Sequence, residues 1–292
     1  MKKNFKLFCF GFGQVARYFV KNLIKKKYNF NLIATNTQTT KFQKIDGLKY
    51  KSYYFSNNKF DKNLLDELSS SNKILISIPP KDGKDIVLKT FSGKFKKNNF
   101  EWVTYLSATS VYGDKNGRFV NEKTKPNPTT KRGIDRLKTE SEWLNYFNNF
   151  GLPIQIFRLS GIYSKERNVI KRIQSGKINL VEKKNHFFSR INVEDIAEIL
   201  NLSLKKFSPG QIFNISDDYP CSNVEIAKYA ANLINKDVPK KIKLKDLQSH
   251  ELKDFYKDSK KVSNKKMKKF FNYNLKYPTF KEGLAMIKNH TV

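Results

Sequence analysis

Two closely spaced glycines directly after an apolar segment near the amino terminus are the feature that most constrains the fold. Residues 6–10 have the composition of a buried strand, and residues 14–23 have that of an amphipathic helix. Between them, Gly11, Gly13 and Ala16 lie in G-x-G-x-x-A spacing. The first glycine permits a tight turn, the second lets the backbone approach a pyrophosphate, and the alanine lets the helix pack near the strand. This pattern predicts a strand–turn–helix unit that binds a dinucleotide.

The start of the predicted helix suits a pyrophosphate because it offers unpaired N–H groups and the positive end of a helix dipole. The competing interpretation is a turn without a ligand, since many turns contain such a glycine pattern. The cofactor-binding residues expected in this turn are Gly11, Gly13, Gln14, Val15 and Ala16.

Strands and helices alternate through the first half of the chain. Residues 73–78 form an apolar, β-branched run that ends at two prolines, as expected of a parallel strand covered on both faces. The alternation predicts an α/β fold with a doubly wound parallel sheet of Rossmann type. Other predicted strands cover 31–34, 50–55, 102–106, 152–159 and 211–215, and predicted helices cover 64–68, 85–91, 132–150, 168–174, 193–204 and 224–233.

The hydrophobic pattern becomes less regular after residue 160. We expect residues 1–160 to form an NAD(P)-binding Rossmann-like domain. Residues 161–292 are expected to form mainly a smaller α/β substrate-binding lobe, with residues 190–216 returning to the core.

The formal net charge of +31 favours anionic ligands. Lysine far outnumbers arginine and is spread along the chain, which a genome poor in G and C would also produce. No aromatic–basic motif or zinc-ligand spacing accompanies the charge, so we expect no nucleic-acid partner. The positive field should instead attract phosphorylated small molecules.

Cysteine, histidine and hydropathy patterns limit the compartment and the chemistry. Cys9 and Cys221 are too few for a disulfide framework. No stretch is long and apolar enough to span a bilayer, and the first strand explains the amino terminus better than a signal peptide does. His186, His250 and His290 have no neighbours at ligand spacing, so we expect no metal site. Together these patterns predict a cytoplasmic protein without a membrane partner.

Seven segments, in order along the chain, resemble those of a known family. They are GFGQVA at 11–16, YLSATSVYGD at 105–114, FRLSGIY at 157–163, SRINVEDIA at 189–197, FNISDDYP at 213–220, DSKKVSN at 258–264 and YPTFKEG at 277–283. With this set the chain resembles the extended short-chain dehydrogenase/reductase superfamily, particularly its atypical, nucleoside-diphosphate-sugar epimerase-like branch. The resemblance covers nearly the whole chain and implies a Rossmann fold, an NAD(P) cofactor and a nucleotide-sugar or other phosphorylated substrate.

Members of this superfamily usually catalyse with a Ser or Thr, a Tyr and a Lys, the last two in Tyr-x-x-x-Lys spacing on one helix. By the resemblance, these positions fall on Ala108, Arg132 and Arg136. Alanine cannot hydrogen-bond a substrate hydroxyl, and arginine stays protonated and so cannot act as a general base. The flanking Ser107 and Thr109 would restore a hydroxyl, but not a base, if the register differs by one. The usual reductase mechanism is therefore not expected.

The end of the second predicted strand bears on the choice of cofactor. An acidic residue there favours NAD and an arginine favours NADP. Here Thr35 and Asn36 offer a hydroxyl and an amide, which tolerate a 2′-phosphate, so we lean towards NADP over NAD. Ser77 and Pro79 are expected near the adenosine half, and Ser107 completes the expected cofactor contacts.

In relatives, the segments matching 161–168 and 189–195 line the second-ligand cleft. The resemblance therefore implies that Arg167 and Arg190 bind the phosphates of a substrate. The alternative for these arginines is an ion pair with Glu194 or Asp195. The full set of expected substrate-binding residues is Arg132, Tyr163, Arg167 and Arg190.

Two functions remain open at this point. The first is an NAD(P)-binding, epimerase/dehydratase-like enzyme whose usual catalytic set is replaced. The second is a non-catalytic NAD(P)-binding sensor or scaffold that kept the pocket and lost the chemistry. The helix at 132–150 is also expected to be able to form a homodimer, as in relatives.

Overall fold

The computed structural model describes residues 4–97, 100–176, 178, 180–181, 183, 185–248 and 250–289, without the side chains of residues 250–252. The chain divides into two compact units. The first comprises Met1–Ala108, Ile134–Arg158 and Ile196–Phe213, and the second comprises Thr109–Gly133, Leu159–Asp195 and Asn214–Val292. The units therefore alternate along the chain rather than following one another.

Helices and strands are numbered in chain order. Strands β1 to β15 are Phe5–Phe10, Phe30–Asn36, Lys41–Ile45, Leu48–Ser56, Lys59–Phe60, Lys73–Ile76, Trp102–Ala108, Phe119–Val120, Ile154–Leu159, Gly161–Tyr163, Leu180–Val181, Arg190–Asn192, Ile212–Ile215, Lys241–Ile242 and Lys261–Val262. Helices α1 to α10 are Gln14–Lys25, Leu64–Ser69, Ile86–Lys97, Lys131–Phe150, Val169–Gln174, Val193–Ser203, Asn223–Leu233, His250–Lys257, Lys265–Phe271 and Phe280–Asn289. Short 3-10 helices cover Thr109–Tyr112 and Leu244–Asp246.

The large sheet has the strand order β3-β4-β2-β1-β6-β7-β9-β13. β1 pairs in parallel with β2 on one side and with β6 on the other, with Phe8 opposite both Ile33 and Ile74. The predicted parallel, doubly wound sheet is thereby confirmed. Because the strand order reverses between β1 and β6, their carboxyl ends form the topological switch point at which such folds bind ligands.

The sequence patterns missed strand β3, which pairs antiparallel with β4. Asp46 and Gly47 connect the two strands with φ of 43° and 84°, so both residues adopt the left-handed conformation of a tight hairpin turn. β3 is rich in lysine, and its Phe42 is 76% exposed beside the Lys51 ammonium. An exposed edge strand buries too little apolar surface to show a clear alternating pattern.

The core of the first unit is dominated by aromatic rings. Phe10 of β1 packs against Phe91 and Phe95 of α3, with ring centroids 5.3 Å and 6.2 Å away. The indole of Trp143 in α4 is buried and donates a 2.9 Å hydrogen bond to Asp85 Oδ2. Asp85 Oδ1 accepts from the amides at the start of α3, so this one carboxylate both caps α3 and attaches α4 to it. Burial raises the pKa of Asp85, and these hydrogen bonds oppose the rise.

A buried ion pair joins α4 to β9. Arg158 is 3% exposed and Glu140 is 1% exposed. The guanidinium Nε donates to both carboxylate oxygens, each at 3.1 Å, and Nη2 donates to Oε2 at 2.6 Å. This bidentate geometry is needed because an uncompensated charge at this depth would be strongly destabilising.

In the second unit, the core is formed by α5, α7 and α10. Tyr163, Ile170, Ile226, Phe280 and Leu284 pack together there. The short strands pair in parallel as β10 with β12, β11 with β14, and β15 with β8. In the part of the chain that the structure describes, no helix combines the length and the apolar character needed to cross a membrane.

We predict that Glu140→Ala lowers the free energy of unfolding by about 3–5 kcal/mol, because it leaves the Arg158 guanidinium buried without its counter-charge. Chemical denaturation monitored by circular dichroism measures this loss. The double variant Glu140→Leu with Arg158→Met should recover most of it, since an apolar pair of similar volume needs no compensation.

The matched control is Glu142→Ala on the same helix, where Glu142 faces Lys138 across 4.0 Å in an exposed pair. Its effect should stay below about 0.5 kcal/mol. Equal losses for Glu140→Ala and Glu142→Ala would contradict this account of the buried pair.

Candidate functional site

The turn after β1 has the geometry that the glycine pattern predicts. Gly11 has φ of +80°, and a Cβ there would lie 2.9 Å from Ser77 Oγ. Gly13 is the N-cap residue of α1, and a Cβ on it would meet nothing within 4 Å. Gly11 is therefore required by the backbone, whereas the space at Gly13 is open to a ligand.

Two hydroxyls from neighbouring strands hold this turn in place. The Gly11 amide donates to Thr35 Oγ1 at 2.8 Å. Ser77 Oγ donates to the carbonyls of Phe10 and Gly11, both at 3.0 Å. Thr35 and Ser77, expected from the sequence as cofactor contacts, thus brace the glycine turn from the ends of β2 and β6.

Asn36, the other residue expected to meet the adenosine ribose, is engaged in its own loop. Its Nδ2 donates to Ser52 Oγ at 2.8 Å and to the Thr39 carbonyl at 2.9 Å. Its Oδ1 accepts from the amides of Gln38 and Thr39. The amide therefore shapes the loop after β2, and its contact with a cofactor stays a prediction.

The carboxyl end of β7 carries the residues at the expected hydroxyl position. Ser107 is 2% exposed, and its Oγ has no hydrogen-bond partner among the described residues. Ala108, the last residue of β7, is half-buried. Arg136 Nη1 donates to the Leu106 carbonyl at 2.8 Å, so part of this guanidinium is used to attach α4 to β7. Pro79, which follows β6, is exposed.

Within the second unit, a close backbone approach brings Arg132 towards the segment that contains Thr109. A Cβ on Gly133 would lie 2.7 Å from the Ser110 carbonyl oxygen. Glycine at position 133 therefore lets the first turn of α4 pack directly against the 3-10 helix that starts at Thr109. Arg132 is exposed there.

The other expected substrate residues differ in their environments. Arg167 is exposed, whereas Tyr163 and Arg190 are 6% and 7% exposed. Arg190 donates to the Phe188 carbonyl at 3.0 Å and to Asn223 Oδ1 at 2.6 Å. Its guanidinium is thus held by neutral groups of this unit.

The alternative partners considered for Arg190 make other contacts. Glu194 forms a 2.7 Å ion pair with Lys276. Asp195 accepts from the Lys276 amide at 2.7 Å and from the Tyr277 amide at 3.1 Å, so it braces the segment before α10.

Three features of the first unit are compatible with a bound dinucleotide. The space beside Gly13 is open, and the first turn of α1 contains no acidic residue. Near the carboxyl end of β7, Ser107 has a buried hydroxyl that no described residue hydrogen-bonds. A bound pyrophosphate would be held by the turn amides and the dipole of α1. Among the described residues, no group of three or more His, Cys, Asp or Glu could hold a metal ion.

Of the three histidines, His186 is the one whose side chain the structure describes. His186 packs beside Phe255 and Tyr256, and burial lowers its pKa. His290 and the side chain of His250 lie outside the described residues.

The sequence analysis did not select Arg17, which directly follows the glycine motif. It is exposed in the first turn of α1, and its charge lowers the pKa of Tyr50, a shift that burial outweighs. Tyr50 in turn contacts the Phe12 ring of the glycine turn at 5.0 Å. The signal that could have identified Arg17 is a cation one residue beyond Ala16.

Fold and turn together define a protein of Rossmann type, with a glycine turn of the kind that binds dinucleotides in such folds. The sequence profile of the NAD dependent epimerase/dehydratase family matches residues 90–216. The chain is 26% identical to the dTDP-D-glucose 4,6-dehydratase of Dictyostelium discoideum over 148 residues, which are 44% of this chain and 34% of that protein. The human enzyme of the same name is 25% identical over 142 residues and is covered to 39%. The chain thus matches little more than a third of the length of these curated relatives.

Solved structures resemble the chain over nearly its whole length. A conserved protein of unknown function from Silicibacter pomeroyi is 30% identical, with a TM-score of 0.85 and coverage of 98% of this chain and 99% of that one. The dTDP-glucose 4,6-dehydratase of Bacillus anthracis, in complex with NAD, is 17% identical with a TM-score of 0.77 and coverage of 98% and 96%. The UDP-glucose 4-epimerase of Thermotoga maritima, with UDP-glucose, is 17% identical with a TM-score of 0.79 and coverage of 98% of both chains.

The chain belongs to the NAD-dependent epimerase/dehydratase family, within the extended short-chain dehydrogenases/reductases. This confirms the resemblance carried by the seven segments.

We predict that Gly11→Ala lowers the free energy of unfolding by about 1–3 kcal/mol, because an alanine at this positive φ is strained and its Cβ meets Ser77. Gly13→Ala should change it little, since Gly13 has an extended conformation and open space. Thermal and denaturant unfolding of the two variants tests the distinction, and equal effects would refute it.

Proposed function

We propose that this protein binds NAD(P) and acts, in the manner of an epimerase or dehydratase, on a nucleotide sugar or another phosphorylated small molecule. The observation that supports this best is the glycine turn at the switch point, with open space at Gly13 and a Ser107 hydroxyl that has no partner within the described ranges. Neighbours with the same fold include a UDP-glucuronic acid 4-epimerase from Bacillus cereus in complex with UDP-glucuronic acid and NAD.

In this proposal the usual catalytic set is replaced by Ala108, Arg132 and Arg136. Bound NAD(P) would supply the hydride acceptor for oxidation of a sugar carbon. Arg136 anchors α4 through the Leu106 carbonyl, which is a positioning role. Arg132 can bind a phosphate or carboxylate through paired N–H donors but cannot remove a proton. Ser107 and Thr109 are the hydroxyls available to orient a substrate.

The second candidate is a non-catalytic NAD(P)-binding sensor or scaffold. It is favoured by the absence of a general base at the positions that align with the family's tyrosine and lysine. The two candidates differ in one measurable respect, which is whether a bound dinucleotide is oxidised or reduced when a substrate is added.

We predict saturable binding of NADH or NADPH, measured by nicotinamide fluorescence, with turnover on addition of a nucleotide sugar from a panel. Gly13→Asp should abolish binding without unfolding the protein, because the Cβ is accommodated while the carboxylate repels the pyrophosphate. Gly93→Asp is the matched control, since Gly93 of α3 is exposed and its Cβ also meets nothing. Binding without turnover across the panel supports the sensor, and no binding of either nucleotide overturns both candidates.

For the cofactor we propose a preference for NADP over NAD. In this proposal Arg17 binds the adenosine 2′-phosphate. Asn36 is engaged by the loop after β2, so the adenosine 2′-phosphate needs another donor. Arg17 is an exposed cation in the first turn of α1, which follows the glycine turn that would hold the pyrophosphate.

We therefore predict that Arg17→Ala raises the Kd for NADPH about tenfold, equivalent to about 1.4 kcal/mol, and leaves that for NADH nearly unchanged. Lys25→Ala removes the same charge from the other end of α1 and should change neither value by more than about twofold. An equal rise of the Kd values for NADPH and NADH in Arg17→Ala would indicate that Arg17 binds the pyrophosphate instead.

We also propose a homodimer formed through α4. This helix exposes Ile134 and Phe150, which are 53% and 46% accessible. Sedimentation of the wild type should give a dimer that Ile134→Glu dissociates, because a carboxylate would be buried unpaired at the interface. A wild type that remains monomeric at micromolar concentration contradicts this assembly.

A further inference from the structure

Strands β10 and β12 of the second unit present a set of polar groups on one face. The two strands are parallel, with Tyr163 opposite Asn192 and Gly161 opposite Arg190. Because side chains alternate along a strand, Tyr163, Asn192 and Arg190 point to the same side. Asp217 joins them, since its amide donates to the Arg190 carbonyl at 2.7 Å.

Two of these side chains carry buried polar atoms without a hydrogen-bond partner among the described residues. Asn192 and Asp217 are each 1% exposed, and the atoms concerned are Asn192 Nδ2 and Asp217 Oδ2. The orientation of the Asn192 amide is fixed, because its Oδ1 accepts from the Glu194 amide at 2.9 Å. Asp217 Oδ1 accepts from the Tyr219 amide at 3.3 Å, so Oδ2 is the oxygen left to face the cluster.

The Tyr163 hydroxyl completes the set. It donates to the Thr279 carbonyl at 3.4 Å, a length at which a hydrogen bond is weak. Burial raises the pKa of Tyr163, the negative charge of Asp217 adds to the rise, and the Asn192 amide opposes it, so both groups lie close to the hydroxyl. A Cβ on Gly283 would lie 2.1 Å from the hydroxyl oxygen, which places this group directly beneath the backbone of α10.

Within the part of the chain that the structure describes, the neighbouring Arg190 guanidinium does not hydrogen-bond these atoms. The Arg190 guanidinium donates to the carbonyls of Phe188 and Cys221 and to Asn223 Oδ1. Buried polar atoms that lack a protein partner are normally satisfied by ordered water, which makes about three hydrogen bonds at such a site. An amide donor, a carboxyl group and a hydroxyl match that number.

We propose that Asn192, Asp217 and Tyr163 form a buried hydration site in which one internal water links β10, β12 and the segment after β13 beneath α10. The water accepts a hydrogen bond from Asn192 Nδ2. While Asp217 is protonated, its carboxyl donates to the water, and the water donates to the Tyr163 hydroxyl oxygen. Once Asp217 is ionised, the water donates one proton to Asp217 Oδ2 and the other to the Tyr163 hydroxyl oxygen. The Tyr163 proton remains available for the Thr279 carbonyl.

The site also gives the stability of this unit a defined dependence on pH. Burial raises the pKa of Asp217 to about 8, Arg190 of β12 opposes the rise, and the neighbouring Asp218 adds to it. The charges of Asp195 and Glu282 also face this cluster, where they add to the rise in the pKa of Tyr163. Since the ordinary pKa of an aspartate is about 3.9, the folded state holds a proton that the unfolded state releases between about pH 4 and pH 8. The contribution of Asp217 to stability is therefore lost as the pH rises through this window.

A crystal structure of the whole chain at high resolution is the direct test. Density for a water at about 2.7–3.2 Å from both Asn192 Nδ2 and Asp217 Oδ2 is the expected result. A direct hydrogen bond between the two side chains, or a cluster without density, would overturn the proposal.

Oxygen-17 relaxation dispersion provides a second measurement that does not require crystals. The count of long-lived internal waters should fall by one in Tyr163→Phe, which removes a single hydrogen-bond partner and keeps the ring. Tyr229→Phe is the matched control, because the Tyr229 hydroxyl donates to the Lys281 carbonyl at the same 3.4 Å but is exposed. An equal count in wild type and Tyr163→Phe contradicts the site.

The pH dependence is tested with Asp217→Asn, which keeps the shape and cannot titrate. The unfolding midpoint of the wild type should decrease more steeply between pH 5 and pH 8 than that of the variant. Parallel profiles would show that Asp217 is already ionised at pH 5 and would exclude the protonated carboxyl.

Discussion

The parallel placement of β1 between β2 and β6 is the constraint on which the rest of the first unit depends. It brings the ends of three strands to one edge, where Thr35 and Ser77 can bond to the turn that leaves β1. The left-handed backbone at Gly11 is possible because glycine has no Cβ, and these two hydroxyls satisfy its polar groups. With that turn fixed, α1 starts beside open space at Gly13, and the same edge carries the buried hydroxyl of Ser107.

Two contacts that hold helix α4 in place are separate from the positions that align with the family's tyrosine and lysine. The buried pair of Glu140 with Arg158 and the bond from Trp143 to Asp85 hold the helix on the sheet. Neither interaction depends on the side chains at the positions of the family's tyrosine and lysine. Arg136, expected from the sequence at the lysine position, also attaches α4 through the Leu106 carbonyl. The scaffold is thus independent of the catalytic residues, which is why a sensor and an enzyme are both compatible with it.

In the second unit, several polar side chains are buried and hydrogen-bond to groups of the same unit instead of facing solvent. Arg190 and Tyr163 are directed inward, and their hydrogen bonds go to carbonyls and an amide of the same unit. Burying such groups requires that nearly every donor and acceptor be satisfied. Among the described residues of this unit, Asn192 and Asp217 are two of the buried side chains that carry an atom without such a partner. Our proposal connects these two side chains to the packing of α10 and to the protonation of one carboxyl.

The sequence by itself determined the fold class, the glycine turn and most of the strands and helices, because these follow from local periodicity and from residues whose backbone freedom is special. It also indicated the family, through short segments in a fixed order. Only the tertiary structure decided which polar groups are engaged, as with Asn36 in its loop and Arg190 among neutral acceptors. It likewise revealed strand β3, whose exposed edge gives no hydrophobic pattern. The partner of a polar side chain and the pairing of an exposed edge strand depend on how the backbone is arranged in space, so the hydrophobic pattern of the sequence does not encode them.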